Sequence, residues 1–424
     1  MLNWCSRFNI CCLLDNNDYP SSYHQFEAIL AADAVATLQL PAGNAFDELL
    51  QFHNTHQDWL FGHLAYDLKN EVVPNLHSSN PDGSGFPDMF FFRPRIVLML
   101  EKNQLSIGME NGMLDQAREI FQQCLEMPAA IADHTAAISQ SLQSRLQHDA
   151  YIDAVKSLQD HILRGDCYEV NFCRESFIED ATVYPPALYH RLSTLSPAPF
   201  AAYYRLNDHY MVCSSPERFM QKKGHKIISQ PIKGTSRKDK NPQVDEALKK
   251  ALFNNAKERA ENVMVVDLVR NDLSHTAVRG SVTVTELFGI YSFAQVHHMI
   301  STVAAELPPD LPFTEVLKQS FPMGSMTGAP KIKVMELIES HEKSRRGLYS
   351  GAVGYITPAG DFDFNVVIRS ILYNATAKYL SFQTGSAITF YSDPEKEWEE
   401  CLLKAAALRS VLSASETTVP SPGQ

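Results

Sequence analysis

Apolar positions set the first expectations. Over 148–164 the residues Tyr151, Val155, Leu158 and Ile162 recur at the spacing of one helix face, and Gly165 follows as a stop. Helices are likewise predicted over 244–262, 313–320, 329–343 and 394–412. Runs rich in β-branched and aromatic residues at 168–174, 209–213, 281–293, 299–304, 350–357 and 365–373 predict strands. Upstream, 61–67 alternates like a strand, and residues 1 to about 125 read as short strands with a few helices. Several strands follow one another without an intervening helix, which predicts an α+β fold rather than a doubly wound sheet. The weakly patterned Ala/Ser/Gln-rich stretch near 127–145 predicts a connection between an N-terminal region, 1–126, and a larger domain, 146–412. The Ser/Thr/Pro-rich tail, 413–424, predicts disorder. No internal repeat is visible.

Composition narrows the class. With 424 residues, 45% of them hydrophobic, the chain can bury a sizeable core. No apolar run reaches the length that spans a bilayer, and the run from Asn9 to Leu14 ends at Asp15, too early for a secretory signal. A net charge of −12 argues against nucleic acid or an anionic membrane as partner. It also means that an anionic substrate needs a local cation, and a metal ion is the obvious source. Eight cysteines without a CxxC pair or a disulfide-framework spacing predict free thiols in a reducing cytoplasm. Cys167, within Gly165-Asp166-Cys167-Tyr168-Glu169, is not an amidotransferase nucleophile, because that elbow needs glycine where Glu169 stands.

Four segments could carry chemistry. Glu258 and Glu261 are three apart, as are Glu397 and Glu400, so each pair shares a helix face, and Lys404 joins the second. Asp393 is a natural N-cap with Pro394 at the first helical position, while Trp398, Leu402 and Ala405 point away from the charged face. One such doublet is ordinarily a solvated surface. Two doublets suit a hard cation such as Mg²⁺, which takes carboxylate oxygens and keeps waters. The run Phe321 to Lys331 places Gly324, Thr327 and Gly328 before a helix, with Thr327 as a candidate cap and Pro330 in the first turn. It does not match a P-loop. Pro231-Ile232-Lys233-Gly234-Thr235 resembles a surface loop. A nucleophilic Lys233 would need a lowered pKa, since at about 10.4 one lysine in a few thousand is neutral at pH 7. Glu217, in Ser214-Ser215-Pro216-Glu217-Arg218-Phe219, is a general acid if its pKa is raised, and a salt-bridged surface group otherwise.

Taken together these segments resemble the chorismate-utilising enzymes, the family of anthranilate, aminodeoxychorismate, isochorismate and salicylate synthases. The resemblance runs from about Leu14 to Leu412 and is strongest after Asp149. It is carried in order by Gly165 to Asn171, Ser215 to Phe219, Pro231 to Thr235, Arg259 to Asn262 leading into Val266 to Asp272, Gly324 to Lys331, Tyr349 to Tyr355 and Asp393 to Trp398. It implies an anthranilate-synthase-like two-sheet antiparallel sandwich with helices packed outside. It also implies Mg²⁺ held by Glu261 and Glu400, with Glu258 and Glu397 beside them or bound through water. Arg369, Tyr349 and Lys404 are implied contacts to substrate carboxylates, with Gly324, Thr327, Gly385 and Thr235 also in the binding wall. His298 matches an active-site histidine, and Glu217 the acid that protonates the departing 4-hydroxyl.

The branch of the family turns on Lys233. Anthranilate synthases carry alanine there, whereas the aminodeoxychorismate branch carries a lysine that attacks ring carbon 2 before ammonia adds at carbon 4. The resemblance thus implies amination of chorismate toward p-aminobenzoate and folate, with ammonia from a separate glutamine amidotransferase subunit. Anthranilate synthase component I is the alternative activity, and a non-catalytic regulatory binder a third reading. Isochorismate and salicylate synthases carry a water-activating lysine where this chain has Glu169. Amine-adding members usually show glutamine there. A Gly-Ala-Gly run appears here as Gly385-Ser386-Ala387, and Arg237 and Lys238 depart from the usual basic pattern. Leu13-Leu14-Asp15-Asn16 falls where some family members begin a pocket for bound tryptophan.

Overall fold

The structure, a computed structural model, describes residues 1–20, 23–73, 75–110, 114–127 and 141–413. Most of the predicted connection, at 128–140, and the predicted tail from 414 onward lie outside the described residues.

The strands form one antiparallel ladder folded into two leaves. The first leaf runs Glu169–Ile178, Tyr379–Ile388, Ser370–Asn374, His209–Ser215, Phe200–Leu206, Ile10–Asp15, Ala28–Leu40. The second runs Met89–Glu101, Leu60–Leu64, Ala352–Ile356, Phe362–Val366, Arg218–Lys223, Lys226–Gln230, Val296–Glu306. Ile232–Arg237 and Thr283–Ser292 both pair with that last strand. The long strands Ala28–Leu40 and Met89–Glu101 pair with each other and join the leaves. Their register shifts between Ala34 and Ala36, beside Pro94. Asp33 there is left-handed at φ 63°, and such a bulge bends the strand.

Period-two alternation sorts the side chains of the first leaf. Cys12, Ile29, Ala31, Tyr204, Met211 and Cys213 enter the core shared with Phe61, Phe91, Met220 and Phe364 of the second leaf. Their neighbours Leu13, Leu30, Tyr203 and Val212 turn outward, under Leu188 and Leu192 of helix Pro185–Leu195 and Ala405 and Leu408 of helix Pro394–Leu412. This is the predicted α+β sandwich with helices outside. All eight cysteines are free. Among the described residues no helix is long and apolar enough to cross a membrane.

Four local expectations are corrected. The single helix predicted over 244–262 is two, Pro242–Asn254 and Ala256–Ser274, because Asn255 leaves the helix and caps the second. The strand predicted over 365–373 breaks between Val366 and Ser370, where Arg369 is left-handed at φ 51°. A non-glycine residue there stores about 1–3 kcal/mol of strain. Helix Pro394–Leu412 buries Glu397, Cys401, Ala405 and Leu408 rather than Leu402. Thr327 caps no helix; its hydroxyl donates to the Met323 and Gly324 carbonyls, and the helix starts later, at Lys331.

Candidate active site

The glutamate pairs stand at the starts of two helices whose caps fix them. The Asn255 side chain accepts from the N–H groups of Lys257 and Glu258, and that of Asp393 from Glu395 and Lys396. Glu258 and Glu397, in these first turns, face the positive end of the helix, with Glu261 and Glu400 one turn further along. Lys257 bridges the two helices, its Nζ 3.6 Å from Glu261 Oε1 and 3.9 Å from Glu397 Oε1. Burial pushes Glu261 up to about 7 against the charges of Lys233 and Lys257, and raises Glu258 and Glu397 too. Burial also works upward on Glu400. The ammonium of Lys404, 2.6 Å away, with Lys233 and Lys257, more than offsets it and holds Glu400 below its ordinary value.

A half-buried carboxylate pushed that far up lacks a sufficient counter-cation. Among the described residues no three acidic, imidazole or thiol groups already close on one point as a cage. Mg²⁺ does not require one, since it binds through one or two carboxylates and keeps waters and substrate oxygens for the rest. The four oxygen-donor side chains therefore fit that ion in chemistry and in charge.

Lys233 sits under this cluster on strand Ile232–Arg237. Asn262, on the helix of the first glutamate pair, donates to the Lys233 carbonyl and accepts from Ser301, pinning helix to strand at that point. The Lys233 ammonium lies 2.5 Å from Glu169 Oε1. Burial opposes its charge, but Glu169, then Glu261 and Glu400, outweigh burial and raise its pKa. In this state Lys233 is an ammonium, and attack requires its proton to leave.

The remaining predicted residues gather around it. Glu217 is buried at the end of strand His209–Ser215, and burial pushes it up to about 7, against a hydrogen bond from Ser325 and the charge of Lys233. His298 bonds Thr235 Oγ1 through Nδ1 at 2.9 Å. Burial, then the charge of Arg369, push it down to about 3, so it is neutral at pH 7. Burial lowers Arg369, whose guanidinium donates weakly to the Lys404 carbonyl. Lys404 Nζ donates to the Gly385 carbonyl at 2.8 Å. A Cβ at Gly385 would come within 2.5 Å of Cys173 Sγ, and that thiol donates to Tyr349 Oη. Gly324 lies against Leu268 of the Ala256–Ser274 helix. All fourteen predicted positions thus belong to one neighbourhood, although Thr327 turns its hydroxyl into its own loop.

Other members were not foreseen. Lys257 is four residues before Glu261, the spacing at which an ion pair forms on a helix. Arg346 is buried and donates to the Met326 and Asn171 carbonyls at 2.6 and 2.7 Å, tying the loop at 324–327 to the strand that carries Glu169. Its partner Glu342 accepts from it and from the Cys173 N–H. Elsewhere, Leu14, Asp15 and Asn16 line a cleft of about 440 Å³ with Phe200, Tyr355 and His24. Burial, then Arg218, push His24 down to about 4.

Comparison with known proteins decides the family, because residues 10–410 match that of the chorismate binding enzymes. The chain belongs to that family. This chorismate-binding enzyme is 38% identical to aminodeoxychorismate synthase component 1 of Salmonella typhimurium, over 92% of this chain and 90% of that protein. It is 32% identical to anthranilate synthase component 1 of Cereibacter sphaeroides, over 82% of this chain and 72% of that one. Its fold matches the crystal structure of anthranilate synthase component I from Streptococcus pneumoniae with a TM-score of 0.77 at 24% identity, covering 93% of each chain.

Proposed function

We propose that this enzyme converts chorismate and ammonia to 4-amino-4-deoxychorismate, on the route to p-aminobenzoate and folate, with Lys233 as a covalent nucleophile. The observation that carries the reading is Lys233 itself, half-buried beside Glu169 and near the protonatable Glu217. Glu217, half protonated near pH 7, gives its proton to the departing 4-hydroxyl, which leaves as water. Lys233 Nζ forms a bond to carbon 2. Ammonia then bonds to carbon 4 and the lysine is expelled. Arg369, Lys404 and Tyr349 bind the substrate carboxylates, and neutral His298, fixed by Thr235, presents an uncharged ring to the pocket. Glu261 and Glu400, assisted by Glu258 and Glu397, would hold Mg²⁺, which neutralises substrate charge when bound. Ammonia comes from a separate glutamine amidotransferase subunit. The eight free thiols support a reducing, cytoplasmic setting.

Anthranilate formation is the second reading, favoured by the relative of that name; the lysine at 233 weighs against it. A regulatory binder would have no use for a raised Glu217 beside a half-buried lysine. The test is mass spectrometry of the products of wild type and Lys233→Ala with chorismate and ammonium, with and without Mg²⁺. Aminodeoxychorismate from the wild type with Mg²⁺ alone, and little from the variant, is expected. Release of anthranilate and pyruvate by the wild type overturns the reading.

A further inference from the structure

Another cavity, of about 650 Å³, lies beside the hairpin of strands Arg218–Lys223 and Lys226–Gln230 and shares no lining residue with the site around Lys233. The segment 23–25 forms one wall. Gln221 Nε2 donates to the Tyr23 carbonyl at 2.7 Å and to Asp363 Oδ2 at 2.8 Å, which holds that segment against the hairpin. The cavity is therefore formed before any ligand arrives. Three lysines and one carboxylate, Asp361, are among its lining residues. Lys222 Nζ lies 3.1 Å from Asp361 Oδ1, and the same oxygen accepts from the Gly224 N–H at 2.8 Å, so that lysine and that carboxylate are engaged. Lys223 and Lys226 stand directly across from each other on the two strands. Like charges at that register repel. Among the described residues neither has an ion-pair partner; Glu306, across from Lys226 on the next strand, lies outside the cavity and forms no ion pair with it.

In a chain of net charge −12, two uncommitted ammonium groups at a cavity are a local exception, and they attract an anion. The rest of the lining says what the anion is attached to. Ile228, Tyr355 and Phe362 are buried and give the cavity an apolar, partly aromatic floor. His24 stands in the wall with Nε2 buried and unpartnered, a ring nitrogen that a polar group on a ligand would satisfy. We propose that this cavity is a second ligand site, and that its ligand is a small aromatic carboxylate. The carboxylate sits between Lys223 and Lys226, and the ring lies against Tyr355. A bare inorganic anion would leave the apolar floor uncovered, and a neutral ring would leave both ammonium groups unpaired. The inference stands whether or not Lys233 is the nucleophile.

The experiment titrates the full chain by calorimetry at pH 7 and low salt with three probes. These are p-aminobenzoate, p-aminobenzamide, which keeps the ring without the charge, and inorganic phosphate, which keeps charge without the ring. Saturable binding of p-aminobenzoate is expected, at least about tenfold tighter than either of the others. The double variant Lys223→Ser/Lys226→Ser, altered on an exposed hairpin, should keep wild-type turnover and bind p-aminobenzoate at least about tenfold more weakly. Because the chorismate site also accepts a ring carboxylate, that variant tells the two sites apart. Affinity unchanged by the double substitution places the ligand in the chorismate site and overturns the proposal. Phosphate or p-aminobenzamide binding as tightly as p-aminobenzoate overturns it as well, and so does the absence of heat at millimolar p-aminobenzoate.

Discussion

Removing Arg346 tests whether a buried ion pair behind the site shapes it. In Arg346→Met the side chain loses Glu342 and the carbonyls of Met326 and Asn171, and its packing over the Tyr66 ring is altered. Glu342, 3% exposed, is left as a buried charge with the Cys173 N–H as its remaining donor. Breaking a buried pair from one side costs about 3–5 kcal/mol. Unfolding entropy near 60 °C is about 2.1 cal/mol/K per residue, so for a chain of this length the loss lowers Tm by roughly 3–6 °C. Glu342→Leu alone should cost a similar amount. The double variant, with no stranded charge, should cost at least about 2 kcal/mol less than the two singles together. Denaturant titration of all four proteins measures this, and the chorismate KM of Arg346→Met should rise because the loop at 324–327 loses its tether. Additive single effects would refute the coupling. An unchanged KM would separate the pair from the site.

Two further outcomes follow from the described groups. With Glu217 raised to about 7 by burial, its acid form prevails below that pH, so kcat/KM should hold on the acid side and fall as pH rises through 7. Glu217→Gln should lose about 10²–10⁴-fold and erase that limb; a variant profile that keeps the limb assigns it to another group. The cleft beside Asp15 is proposed to take tryptophan, and calorimetric titration should give saturable one-to-one binding that Lys233→Ala leaves unchanged. No heat at millimolar tryptophan removes the proposal.

Much of this was legible because the signals are local or periodic. Helix His148–Leu163 lies within one residue of its prediction, since four apolar positions and a glycine stop act within sixteen residues. Asp393 caps as expected for the same reason. The break at Asn255 was also readable. Asn255 followed by Glu258 is the spacing of an N-cap and its third helical residue, but the continuing apolar pattern hid it. Lys257 between two helices, Arg346 behind the loop and Glu169 on Lys233 were not readable. Each depends on which strands become neighbours, and no periodicity within the chain states that 169 will face 233. The misplacement of Leu402 on helix Pro394–Leu412, whose Ala405 is buried as expected, has a similar origin. A carboxylate, Glu397, occupies its buried edge, where hydrophobicity would have placed a leucine.

The ladder interleaves early and late sequence. Strand Ile10–Asp15 pairs with Phe200–Leu206, and Leu60–Leu64 with Ala352–Ile356. During synthesis the first of these waits for about 190 residues and the second for nearly 290, each with an open edge in the meantime. The opening third of the chain cannot settle as a unit ahead of the rest, and its unpaired edges are exposed to other nascent chains. Expression hosts that translate slowly or lack holding chaperones should therefore lose this protein to aggregation before its active-site residues have been made. Conversely, fragments meeting between 127 and 141 should recover activity when mixed, because the edges that each leaves open are the ones the other supplies.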